Sequence, residues 1–533
     1  MAYITGSPSV SIKEEDLATF VNPSSSTIGA AVGNFVWGPC DTPTILTNEN
    51  DLLSIFGKPN DTNYKDWFTV RNYLCYSNDL RVVRIVSETS KNAAQATADA
   101  TQIKSLYDFT SKLSSLSSSE TTSVIYARYP GDYGNKIRVV IADKQALEDE
   151  ESVLYPYVNQ LLNDDSVACG IFYENSLVEF GVYSFNKTAK NYNGESNYIV
   201  SAINDKSSYI FVVEPKLIKY EADGTTRSSV NIDVVLSGGT SATPQAGDYI
   251  NGWNLFRDGD LYDVNLLMQG GAPSTVAKHI LEVVASNRKD CIACLSPQEA
   301  ECVNVADSGT IKAICAASDT IGYSSYRFMD GNYKYQYDSY NNVYRWIPLN
   351  GDIAGIFAEV DEESAPWFSP GNHTIKDCVK LAFNPSKADR DELYKYRVNP
   401  VASFTNTGFV LYGDWTGADA NTSFNFVNVR RMFLYIEKSI TEYARQIMWK
   451  QNDEITQTQF YQSVDPFLRN IKGGRGIEDY KIICDSTVND ASVVNAGTFI
   501  AKIYIKPIYS IRWVEITFVS TRSDVDFEEI AES

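Results

Sequence analysis

The sequence predicts a mixed α/β and α+β chain of several domains, on three observations. Strand-like and helix-like segments alternate over residues 27–87 and again from residue 262, a pattern that builds a sheet covered by helices. Between them, short runs of period-two hydrophobicity with turn signals take over, as in an inserted β-rich domain. At 533 residues the chain also exceeds what one core ordinarily holds. The division that results is an N-terminal arm at 1–22, an α/β core at 23–87 and 262–415, a β-rich insertion at 88–261 and a C-terminal domain at 416–533.

The elements follow in order. "SVSIK" puts Val10 and Ile12 on one face, and "EEDLATFVNPSSST" then breaks the pattern with charge, Pro23 and serines, the composition of an exposed arm and linker. "TIGAAVGNFVWGPC" reads as a small-residue strand ending at a Gly-Pro turn. "ENDLLSIFGKP" reads as a short helix stopped by Gly57 and Pro59, "KDWFTVRNYLCYS" as a second helix and "DLRVVRIVS" as a strand. Residues 91–123, rich in alanine, threonine and then serine, read as a linker or a loosely packed excursion. "SVIYARYPGDYGNKIRVVIAD" reads as two strands around a Pro-Gly turn, and "GIFYENSLVEFGVYSF" continues the β pattern. The core resumes with the strand "YDVNLLMQGG", a helix opened by Pro273 and the strand "KDCIACLSP". The C-terminal hundred residues read as a long helix at 428–453 and three strands, "YKIICDS", "GTFIAKIYI" and "SIRWVEITFVS".

Composition argues against an enzyme. A net charge of −21 opposes non-specific nucleic-acid binding. No run of about eighteen apolar residues offers a membrane span. The N-terminus lacks a basic and then apolar leader, so a protein made and kept in a cytosol is expected. Nine cysteines, an odd number, suit free thiols, and two histidines leave little for acid–base chemistry. Cys291 and Cys294 sit in a buried-strand pattern, where residues three apart face opposite ways, which suits core thiols better than a zinc knuckle. "GGAPST" and "IKGGRGIED" lack phosphate-loop spacing and read as turns. Acidic residues are too many to single out a catalytic pair. No catalytic residue, cofactor or metal is expected. The tyrosine-dense "GYSSYRFMDGNYKYQYDSYNNVYRWIPLNG" would serve as a sugar platform if its rings were exposed together. A hairpin with Tyr333, Tyr335 and Tyr337 on one face and "SYNN" at the turn explains it through cross-strand aromatic pairs.

"NVRRMFLYIEKSITEYARQIMWKQND" carries a stripe of Val429, Met432, Phe433, Ile436, Ile440, Tyr443 and Ile447. Another face collects Arg431, Lys438, Glu442, Arg445 and Trp449, with Lys438–Glu442 and Glu442–Arg445 at ion-pair spacing. Arg430 and Arg431 stand in the first turn, where the helix dipole disfavours cations. Either carboxylates elsewhere in the fold hold them or an anionic partner does, and spacing leaves both readings open.

Those same residues carry a family likeness. "FNFVNVRRMFLYIEKSI" resembles the hallmark helix of contractile-phage tail sheath proteins. "GNFVWGPCDTPTILTNENDLLSIFG" resembles their N-terminal core segment, and "YARYPGDYGNKIRV" the strand pair that opens their insertion. "DGNYKYQYDSYNNVYRWIPLNGDIAGIFAEVDEESAPWFSPGN" resembles the sheaths of T-even-like phages, and "KIICDSTVND" and the closing strands match as well. The likeness spans most of the chain in family order and is weakest over 88–125 and 140–260.

The resemblance implies a structural subunit without catalysis. Such subunits stack as hexameric rings around an inner tube and contract to drive it through the host envelope during genome delivery. It implies a protruding insertion and an inner C-terminal assembly and tube-contact domain completed by the N-terminal arm. It implies partners: further copies of itself, the inner tail tube protein, and the baseplate and tail terminator proteins, with no direct nucleic-acid contact and no membrane insertion. It implies a place in the virion, with assembly in the host cytoplasm. On this basis Arg431, Lys438 and Arg445 are expected to face the tube, and Arg430 to pair inside the subunit. Ile4, Val10, Ile12, Val514, Ile516 and Phe518 are expected in strands exchanged between subunits. The sheath of a contractile bacteriocin or injection machine would share the fold. A carbohydrate-binding tail or baseplate protein is an alternative of another class.

Overall fold

Strands from both sides of the insertion form one sheet. Its order is Arg327–Met329, Ile292–Leu295, Leu266–Met268, Gly29–Asn34, Leu80–Ile85 and Thr44–Leu46. All neighbours run parallel except the last pair. The computed structural model describes residues 21, 27–118, 121–148, 153–158, 165–218, 229–305 and 307–516. Period two sorts the side chains: Leu266, Met268, Ile292, Cys294 and Phe328 face one side, Leu267, Ala293, Leu295 and Met329 the other. Helices Tyr64–Leu74 and Asn350–Glu363 cover the first face. Residues 274–288 and the helix Asp307–Ile321 cover the second. Cys291 lies on the face opposite Cys294, and all nine cysteines are free thiols. Small residues in Gly29–Asn34 let a helix approach closely, since a Cβ on Gly29 would lie 2.7 Å from the Tyr73 ring. Among the described residues no helix is long and apolar enough to cross a membrane.

Asp352 and Asp330 are buried in this core in different ways. Lys334 and Asp352, both side chains wholly buried, form an ion pair at 2.8 Å, and Tyr76 donates to the same carboxylate. Asp330 accepts from the Ser296 hydroxyl and the Asn332 backbone, yet burial pushes its carboxyl up to about 7. An unfolded Asp titrates near 3.9, so the folded chain holds this proton more tightly. The resulting stability is full below about pH 4, declines as pH rises and is gone above about pH 7. Asp330→Asn is therefore expected to flatten the pH profile of urea unfolding by roughly 2–4 kcal/mol across that window.

The insertion is an antiparallel sheet in the order Ser176–Ser184, Ser166–Tyr173, Ile137–Asp143 and Asn231–Val235. Ile125–Ala127 pairs with Ile210–Val212 and not with Ile137–Asp143, so the two strands around the Pro-Gly turn belong to different sheets. Residues 91–123 are not a loose linker. Helix Leu106–Leu116, capped by Ser105, buries Phe109 and Leu116 beside Ile103, and Phe109 stacks on Phe211 at 4.5 Å. Serines between the apolar residues of that helix mask its stripe in the sequence.

The boundary at 261 also needs correction. Helix Ala246–Asn254 packs on the parallel sheet, with Trp253 and Phe256 buried against Val32, Val83 and Ile85. Tyr249 donates to buried Asp66 at 2.7 Å. Residues 246–256 thus complete the core. The insertion itself is attached through Trp37, which stacks on Tyr133 at 4.7 Å, and through Arg84, which donates to the carbonyls of Phe35, Gly38 and Pro130. Excising 88–261 is expected to unfold the core, whereas excising 88–243 with a short linker leaves a cooperative thermal transition. Equal outcomes for the two deletions would contradict this.

The tyrosine-rich stretch is a hairpin of Tyr333–Asp338 with Val343–Pro348. Tyr335 stands opposite Trp346 and Tyr337 opposite Tyr344, while Asn342 takes the left-handed turn position at φ 55°. Tyr333 is buried, whereas Tyr337 and Tyr344 are half exposed. The rings divide between core and surface and do not form one platform.

Candidate assembly surface

The C-terminal domain is built on two helices, Val427–Ile447 and Glu454–Gly473. Val429, Met432, Ile436 and Tyr443 of the first pack with Phe460, Val464, Leu468 and Ile471 of the second. Tyr443 and Ser463 share a hydrogen bond at 2.8 Å. The sequence pattern does not reveal the second helix. Its stripe steps by three and four and Asp453 caps it, but Pro466 inside it breaks the propensity pattern. The first helix ends at Ile447 and not at 453, because Met448 leaves the helical region at ψ 142° and Trp449 follows at φ 72°. Val21, at the end of the N-terminal arm, is buried in the same cluster.

The puzzle of the first-turn arginines has an answer inside the subunit. Arg431 is buried and paired with Asp361 in the last turn of Asn350–Glu363, where that helix's own dipole favours a cation. It also donates to the Phe357 carbonyl at 3.4 Å and lies 4.7 Å from the Phe357 ring. The expectation that Arg431 faces the tube is therefore corrected: with both side chains at 3% and 2% exposure, it points inward. Arg430 is inside the subunit too. Ring faces hold it, with Tyr326 at 4.1 Å and Phe424 at 4.9 Å. Burial pushes the Glu437 carboxyl up, against the attraction of Arg430 and Lys289.

The rest of the basic stripe docks on the core. Lys438 pairs with Asp263 and Arg445 with Asp260, in place of the Glu442 pairs that helical spacing suggests. Buried Arg288 fixes the loop bearing these carboxylates through the carbonyls of Phe256 and Tyr262 and through Asp290. Exposure rises along the stripe. Lys438 is largely covered, while Arg445 is more than half exposed and the neighbouring Met448 and Trp449 stand in solvent.

After the helices, Ile477–Ile483 and Lys502–Pro507 form a two-stranded antiparallel sheet whose outer edges have no partner among the described residues. The described part of the expected third strand, residues 510–516, lacks strand structure. Arg512 pins this segment. Its guanidinium lies between Trp415 at 3.8 Å and Phe426 at 3.5 Å, bonds Asp414 at 2.6 Å and donates to the Asn425 carbonyl. Beyond it the apolar side chains are largely exposed. Trp513, Val514 and Ile516 are 80%, 75% and 67% exposed. Ile4, Val10, Ile12 and Phe518 lie outside the described residues.

Three family descriptions match along the chain. The tail sheath protein Gp18 domain III N-terminal region covers residues 26–85, the phage tail sheath protein central domain 242–416 and the phage tail sheath C-terminal domain 419–521. A tail sheath protein of Vibrio phage KVP40 is 30% identical over 98% of this chain and 99% of its own length. The chain belongs to the phage tail sheath family. The tail sheath protein of Enterobacteria phage T4 is 27% identical over 98% of this chain and 99% of its own. The sheath of an extracellular contractile injection system in its contracted state shares the fold, with a TM-score of 0.53 and 15% identity, over 99% of this chain and all of that one. Tail sheath proteins are structural proteins of contractile tails, and the family is not enzymatic.

Proposed function

We propose that this sheath chain polymerises as stacked hexameric rings around an inner tail tube and contracts to drive that tube through the host envelope. The observation that supports this best is the two-stranded C-terminal sheet, whose outer edges no described residue pairs with, followed by an apolar segment that stays largely exposed among the described residues. A sheet edge presents backbone N–H and C=O groups ready to pair, and strands from neighbouring copies would add there. Val514, Ile516 and Phe518 supply one such strand, and Ile4, Val10 and Ile12 of the N-terminal arm the other. Because Arg512 holds the root of the segment, the link survives rigid rotation of the subunits during contraction.

In this arrangement the insertion protrudes and the C-terminal domain lies inward. The tube contact centres on Arg445, whose exposed pair with Asp260 can open, and on Trp449 beside it; Lys438 is secondary and Arg431 takes no part. Baseplate and tail terminator proteins cap the polymer in the virion, after assembly in the host cytoplasm. The full-length phage relatives favour this setting over a free-standing injection machine. Negative-stain microscopy of the purified chain tests it: hollow tubules with sixfold end views are expected. Only dispersed particles across a range of salt and concentration would refute it.

A further inference from the structure

A groove of about 680 Å³ opens between the C-terminal segment and the core. Tyr394, Tyr412, Trp415 and Trp513 line it, with Lys387 and Arg390 among them. Lys387 is exposed and Arg390 half-buried, and neither forms an ion pair among the described residues. Arg390 donates to the Pro385 carbonyl at 2.9 Å and its guanidinium lies 5.4 Å from the Tyr412 ring. Two carboxylates share the groove. Asp414 is already neutralised by Arg512 and bonded by Ser510, which leaves Asp391. In a chain of net charge −21 this is an aromatic cleft with more unpaired positive than negative charge.

We propose that, in the free subunit, the chain's own acidic tail, residues 524–532, occupies this groove and is withdrawn on assembly. The tail reads "DVDFEEIAE": five carboxylates interleaved with Val525, Phe527 and Ile530. Its charge suits Lys387 and Arg390, and its apolar residues suit the aromatic walls. Reach also fits. Val514 lines the groove, and the roughly ten residues from there to Asp524 span up to about 33 Å. A short tether of this kind holds the tail at an effective concentration in the millimolar range. The release step alone rests on the strand-addition reading. Drawing residues 513–518 into a neighbour's sheet pulls the tail out, so docking restrains polymerisation of free subunits.

The test is a fluorescein-labelled peptide of residues 523–533, titrated by anisotropy into monomeric fractions. The chain ending at Arg522 is expected to bind it saturably, with affinity falling as salt is raised. The full-length chain, its groove filled, is expected to bind about tenfold more weakly, as is the shortened chain carrying Arg390→Glu, a loss equal to about 1.4 kcal/mol. Lys387→Glu, at an exposed position, serves if the arginine variant misfolds. Equal binding by the full-length and shortened chains, or by the shortened chain with and without the charge reversal, overturns the proposal. Failure of strand addition would show separately, as absent tubules with peptide binding unchanged.

Discussion

Arg431→Ala is expected to destabilise the subunit by roughly 3–5 kcal/mol, the cost of leaving a buried carboxylate without its cation. Asp361 stands at 2% exposure beside it, and water cannot replace the guanidinium there. A typical domain has only about 5–15 kcal/mol of stability, so the variant should lose much of its folded population at moderate urea. Lys438→Ala and Arg445→Ala serve as controls on the same helix face. Their partners Asp263 and Asp260 are 48% and 74% exposed, and exposed pairs contribute about 0.2–1 kcal/mol. Urea midpoints should therefore separate Arg431 from the other two. Three equal, small shifts would show that Arg431 is not the buried anchor described above.

The sequence predicts the charge of this stripe but not its direction. Helical spacing places Arg431, Lys438 and Arg445 in one row, and the row exists. What decides its role is which surface lies opposite, and that depends on Asp361, Asp263 and Asp260, contributed by distant parts of the chain. The α/β core is legible because strand-like and helix-like runs alternate locally, and the unbroken apolar run Leu266, Leu267 and Met268 suits a strand covered on both faces. The sequence pattern places residues 246–254 in the β-rich insertion, because their apolar residues fit any core and only the sheet they meet identifies them. Helix Glu454–Gly473 is hidden in the sequence by Pro466, a local signal that tertiary packing overrides. Strand propensity in "SIRWVEITFVS" was real enough to read, but a strand needs a partner, and none of the described residues supplies one.

That missing partner leads to the other large effect. The double substitution Val514→Asp with Ile516→Asp is expected to abolish tubules while leaving the urea unfolding of the lone subunit unchanged. Both side chains already stand in solvent at 75% and 67% exposure, so charging them costs the monomer almost nothing. In a completed sheet each would be buried, and burying an aliphatic side chain contributes about 1.5–3 kcal/mol. Losing two such contacts per subunit raises the concentration needed for polymer by roughly two to four orders of magnitude, since each 1.4 kcal/mol is tenfold. Arg512→Ala separates anchoring from strand addition. It removes the contacts with Trp415, Phe426 and Asp414 that hold the root of the segment. The arm keeps its apolar face but loses its fixed starting point. Tubules should then form at raised concentration and lose length or order, because a loosely rooted strand pays more entropy on docking. Normal tubules from the aspartate pair would mean that residues 513–518 are not the exchanged strand, whatever the arginine variant does.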